Sequence, residues 1–170
     1  MTAGHYNFGY IDSDAYTGNI TYVPVDDSQG YWGWTSSGYA IGSGGFTSKA
    51  IKGIVDTGTT LILLPSSVVS EYYGQISGAK YDKSEGGYVF DCGSHMLDFM
   101  YGVTDTASIR IPGKYFTYAP TDSVGKKCFG GLQSDGDFGF AIFGDVALKA
   151  AFVVFDAGRM RLGFASKSLS

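Results

Sequence analysis

A chain of 170 residues with 44% hydrophobic and 16% aromatic content suits one domain with a core of its own. Its net charge of −4, without any basic run, argues against nucleic acid or an anionic membrane surface as a partner, and no apolar stretch is long enough to span a bilayer. The excess of glycine (26) over proline (4) fits many short strands joined by turns better than helices.

In chain order, Met1-Thr2-Ala3-Gly4-His5 shows neither the charged nor the apolar region of a signal peptide. Residues 19–23 read as a strand, 26–30 as a turn and 31–35 as a second strand, with a glycine-rich loop over 38–45. Asn19-Ile20-Thr21 is an acceptor triplet for N-glycosylation as well as the start of a strand. Gly42-Ser43-Gly44-Gly45 is followed by neither Gly-Lys-Ser/Thr nor a strong helix, so a phosphate loop is excluded and a hairpin tip remains.

The stretch Gly53-Ile54-Val55-Asp56-Thr57-Gly58-Thr59-Thr60-Leu61 then delivers a single carboxylate to a tight turn. Its β-branched Ile54 and Val55 suit the end of a buried strand. Gly58 permits a backbone geometry, or a close approach, that a side chain would block. Asp56 is held near backbone N–H groups and the hydroxyls of Thr57 and Thr59, which can hydrogen-bond it. After Pro65, Ser66 offers an N-cap, Val68, Val69, Tyr72, Tyr73 and Ile76 recur at helical spacing, and Gly78 offers a stop. The apolar face of this helix is expected to pack on a sheet.

Further strands are expected at 88–92, 99–103, 108–111 and 114–118, and 128–132 returns to the core. Asp145 is placed to cap a short helix running to Ala151, ahead of two closing strands. The result is an all-β domain with two short helices and no linker, repeat or low-complexity tract. Cys92 and Cys128 allow one disulfide or, in a cytosolic protein, two free or catalytic thiols. His5 and His95 are isolated, no Cys-x-x-Cys occurs, and neither a metal nor a cofactor is implied.

The run Ile54 to Thr60 has the form hydrophobic-hydrophobic-Asp-Thr-Gly-Thr-Thr. It resembles the signature of the pepsin-like aspartic proteases. Three later stretches, Ala141-Ile142-Phe143-Gly144-Asp145, Phe152-Val153-Val154-Phe155-Asp156 and Leu162-Gly163-Phe164-Ala165, extend the resemblance to nearly the whole chain, in order. The match is to the C-terminal lobe of secreted fungal members. It implies one lobe, the C-terminal half, of the bilobal acid protease fold over residues 1–170. A second Asp-Thr-Gly and a Tyr-bearing flap hairpin are missing from the sequence, so the N-terminal lobe and the targeting region are expected to be absent.

By this resemblance Asp56 is the lobe's catalytic carboxylate, Thr57 reaches across the lobe boundary, and Thr59 orients Asp56. Gly58 and Thr60 meet the substrate backbone. Leu63, Phe138, Phe140 and Ile142 fall where related enzymes line substrate pockets, although the alternation of 138, 140 and 142 equally describes sheet core. The pair matching Cys92 and Cys128 is bridged in the family. The implied function is hydrolysis of a peptide or protein substrate at acid pH by a secreted, extracellular enzyme sensitive to pepstatin-type inhibitors. The isolated lobe is expected to be inactive and weakly self-associating. Two other readings stand beside it: a homodimer in which two copies of Asp56 meet, as in retroviral proteases, and a non-catalytic binding or antigenic domain that keeps the fold.

Overall fold

Short apolar segments broken by turns can bury their faces by stacking as several small sheets. The computed structural model describes residues 4–136 and 138–169; the reading of Met1, Thr2 and Ala3 lies outside them. The elements in order are β1 (Thr17–Pro24), β2 (Gly33–Ser36), β3 (Tyr39–Ile41), β4 (Ile51–Val55), β5 (Ile62–Leu64), α1 (Ser66–Tyr73), β6 (Lys80–Asp82) and β7 (Gly87–Asp91). They continue with β8 (Phe99–Gly102), β9 (Ser108–Ile111), β10 (Thr117–Pro120), β11 (Lys127–Gly130), β12 (Leu132–Ser134), β13 (Ala141–Phe143), α2 (Asp145–Leu148), β14 (Phe152–Asp156) and β15 (Arg161–Ser166).

A five-stranded sheet of order β12-β5-β13-β4-β2 forms the centre, flanked by sheets of order β1-β15-β14, β10-β11-β7-β6 and β3-β8-β9. The central sheet has an unusual connection. Strands β4 and β5 are joined by the turn that holds Asp56, yet β13 lies between them, parallel to β4 and antiparallel to β5. The Asp56 turn therefore passes over the end of β13.

The inner face of this sheet carries Ile51, Val55, Ile62, Leu64, Leu132, Ala141 and Phe143 into one core cluster. Trp34 joins three sheets there, with its ring 5.0 Å from Phe143, 4.8 Å from Phe164 and 6.1 Å from Tyr101. Helix α1 docks through buried Val68, Val69, Tyr72 and Tyr73. The two tyrosines place their hydroxyls on the Leu97 and Leu132 carbonyls, so large rings are buried without orphaning their polar tips. The disulfide Cys92–Cys128, with Cα atoms 5.0 Å apart, ties the end of β7 to β11.

Several local expectations are corrected. Ser66 is the first residue of α1 rather than its cap; Pro65 takes the cap position, and the Ser66 hydroxyl pairs with Ser134 instead. The helix ends at Gly74, and the chain beyond it continues in tighter turns that still bury Ile76, so Gly78 stands past the stop. Residues 113–116 form a 3-10 turn, closed by the Tyr115 N–H on the Pro112 carbonyl, which drops Phe116 into the core; only from Thr117 does a strand run. Asp145 opens α2 without capping it, since Gly144 occupies the cap. Tyr39–Ile41, inside the expected loop over 38–45, pairs with β8 and is fully buried.

Candidate active site

Val55 is the last residue of β4 and is buried, while Asp56 just beyond it is half-exposed. The turn is locked against the segment that follows β13. The Asp56 N–H donates to the Phe143 carbonyl at 3.2 Å, and the Asp145 and Val146 N–H groups donate to the Thr59 and Thr60 carbonyls at 2.8 and 3.0 Å. This approach requires glycine at 144: a Cβ there would lie 2.2 Å from the Thr59 oxygen and 2.3 Å from the Leu61 oxygen. The Phe143-Gly144-Asp145 run is thus the bracket that holds the loop.

Within the loop the Asp56 carboxylate accepts two hydrogen bonds, one from the Gly58 N–H to Oδ1 at 2.8 Å and one from the Thr59 hydroxyl to Oδ2 at 2.6 Å. Charge-assisted bonds of this kind fix orientation strongly. Gly58 serves by close approach rather than by a left-handed backbone, since a Cβ on it would stand 3.2 Å from Asp56 Oδ1. Thr57 and Thr60 are exposed, and their hydroxyls make no hydrogen bond to any described residue. The carboxylate therefore has a fixed direction and an open side. It can accept a proton from a water molecule or hydrogen-bond a ligand.

The residues proposed to line pockets fall into two groups. Ile142 pairs with both Ile54 and Leu63 on the outer face of the central sheet. Ile142 is buried there, while Ile54 and Leu63 are half-buried. Phe138 and Phe140 form an aromatic ridge with rings 6.3 Å apart, and Phe138 is 62% exposed. Tyr31 extends the ridge, 5.9 Å from Phe140 and itself half-exposed. It was not anticipated from sequence, where an aromatic beside a turn carries no distinguishing signal.

Asp145, at the start of α2, has its carboxyl pushed above the usual range by partial desolvation, with Lys149 opposing the shift and the charge of Asp56 adding to it. Among the described residues no group of three or more His, Cys, Asp or Glu is placed to hold a metal ion. No helix among them is long and apolar enough to cross a membrane.

The profile of the eukaryotic aspartyl proteases matches residues 1–167. Endothiapepsin of Cryphonectria parasitica is 57% identical over 165 residues, which cover 96% of this chain and 39% of the relative. Penicillopepsin-3 of Penicillium janthinellum is 51% identical, covering 95% of this chain and 41% of the relative. The crystal structure of an aspartic proteinase from Irpex lacteus superposes with a TM-score of 0.71 at 28% identity, over 95% of this chain and 51% of that one. The chain thus spans about two-fifths of the length of these curated relatives and about half of the solved structure.

Proposed function

The chain belongs to the eukaryotic aspartyl protease family, and from that premise we propose that it acts as the C-terminal lobe of a secreted, extracellular endopeptidase working at acid pH. In the complete protein Asp56 supplies one of two carboxylates, and an N-terminal lobe supplies the other. The observation that carries this reading is the half-exposed Asp56 carboxylate, oriented by Gly58 and Thr59 on a loop bracketed by Gly144.

Two like charges a few Å apart do not ionise together easily, so a carboxylate pair shares one proton. The ionised member takes a proton from the attacking water, and the protonated member polarises the peptide carbonyl. The tetrahedral intermediate then collapses with proton transfer to the leaving amine. These ionisations belong to the pair, so one lobe lacks the second acid and is inactive alone. In the assembled site Thr57 braces the opposite loop, while Gly58 and Thr60 face the substrate backbone. Leu63, with the Phe138–Phe140 ridge, meets apolar substrate side chains or pepstatin-type inhibitors, while Ile142, buried between Ile54 and Leu63, backs that surface from the sheet.

The test is complementation. A folded N-terminal lobe added to this chain restores pepstatin-sensitive peptide cleavage at acid pH, and Asp56→Asn abolishes it. Cleavage by this chain alone that scales with its concentration and depends on Asp56 overturns the two-lobe reading in favour of a homodimer. Absence of cleavage despite lobe binding overturns the catalytic role.

A further inference from the structure

We propose that Asn19 carries an N-linked glycan, attached where β1 bows away from its sheet. The inference rests on the export reading above but not on catalysis. Among the described residues, strand β1 lies at the edge of its three-stranded sheet, paired only with β15. Thr17 faces Ser166 and Thr21 faces Phe164, so four steps along β1 match two along β15. The surplus residues form a bulge, with Asn19 at its middle.

Gly18 enters the bulge at φ +73, with nothing within 4 Å of where its Cβ would stand. Ile20 turns inward and packs over Gly163, where an added Cβ would lie 2.7 Å from its methyl. Asn19 is exposed, and neither its amide nor the Thr21 hydroxyl hydrogen-bonds another described residue. The acceptor triplet Asn19-Ile20-Thr21 thus has no side-chain bond to break and open solvent for a bulky group.

In the transfer the Asn19 amide nitrogen bonds to the anomeric carbon of an oligosaccharide carried on a lipid pyrophosphate. The carbon–oxygen bond to the pyrophosphate breaks, lipid pyrophosphate leaves, and the amide loses one proton. A glycan here also stands beside a sheet edge that no other described strand pairs, and such edges invite pairing with another strand.

The test is to express the chain behind a secretory leader in yeast and map peptides before and after peptide N-glycosidase, on secreted and cell-retained protein alike. The expected result is Asn19 occupied in most molecules and converted to Asp on enzymatic release. Asn19→Gln and Thr21→Ala lose the glycan, while Thr21→Ser retains it. Unmodified Asn19 in chains whose Cys92–Cys128 bridge has formed overturns the proposal. That outcome leaves the protease reading intact, because lobe complementation is measured separately. If a substitution prevents secretion, the map of the unsubstituted chain still decides.

Discussion

The two faces of the central sheet are made from the same strands in alternate registers and differ in what holds them. On the inner face Phe143, Leu132, Ile62 and Leu64 are almost wholly removed from water and share the core with Trp34. On the outer face Ile54 and Leu63 stay half-open beside Asp56, and order comes from directed bonds that join the Asp56 loop to Phe143, Asp145 and Val146. Burial is non-directional and tolerates no water. Asp56, left open on one side, is instead fixed by hydrogen bonds from Gly58 and Thr59 on the other. The same three-residue strand β13 serves both needs, sending Ala141 and Phe143 inward and Ile142 outward.

The contrast is sharpest in a pair of truncations. Phe143→Ala should lower stability by about 3–5 kcal/mol, the range for emptying a buried aromatic site. Leu63→Ala on the outer face should lower it by only about 1 kcal/mol, since less of its surface is out of water. Denaturant midpoints measure both, and equal losses would erase the distinction between the faces. Removing the bridge with Cys92→Ala and Cys128→Ala should lower stability by about 3–4 kcal/mol on the chain-entropy account of the 36-residue separation, while leaving the Asp56 loop geometry unchanged by nuclear magnetic resonance.

Two acidic groups separate the regions by pH. Asp82, on the β6–β7 hairpin, is held well below the usual carboxylate range by the Ser84 hydroxyl and by Lys127. A depressed folded value adds stability above the ordinary Asp value and loses it as the pH falls through the folded one. Asp82→Asn should therefore unfold at lower temperature than the parent near neutrality, and the two should converge in strong acid. Asp145, beside the Asp56 loop, is shifted the other way, chiefly by burial. Its raised folded value disfavours folding at neutral pH and has no effect below the ordinary carboxylate range. Asp145→Asn should give the smallest change of this set, a slight gain near neutrality that vanishes in acid, read from melting curves across pH.

Much of this contrast was legible in the sequence. Ile54 and Val55 mark a strand by β-branching, Gly58 marks a close approach, and the 68, 69, 72, 73 spacing marks α1. The cap at Pro65 and the turn at Gly113–Phe116 were misread, because Ser66 and the run from Lys114 to Tyr118 satisfy local rules that tertiary contacts override. Tyr39–Ile41 was hidden among glycines because its partner, β8, lies about 60 residues away. The position of β13 between β4 and β5, and with it the bracketing of the Asp56 loop, is likewise set by long-range pairing that local rules do not reveal. The aromatic ridge through Tyr31 had no sequence signal.

Under the two-lobe proposal, the outer face with Asp56 is the surface that the N-terminal lobe covers. Hydrogen exchange on this chain, with and without a folded N-terminal lobe in excess, reads whether that face or another is covered. The expected result is added protection across residues 54–61 and 138–142 and none in α1, which is already docked within the lobe. Binding that protects α1 or the β6–β7 hairpin and leaves the Asp56 loop exchanging as before would contradict it.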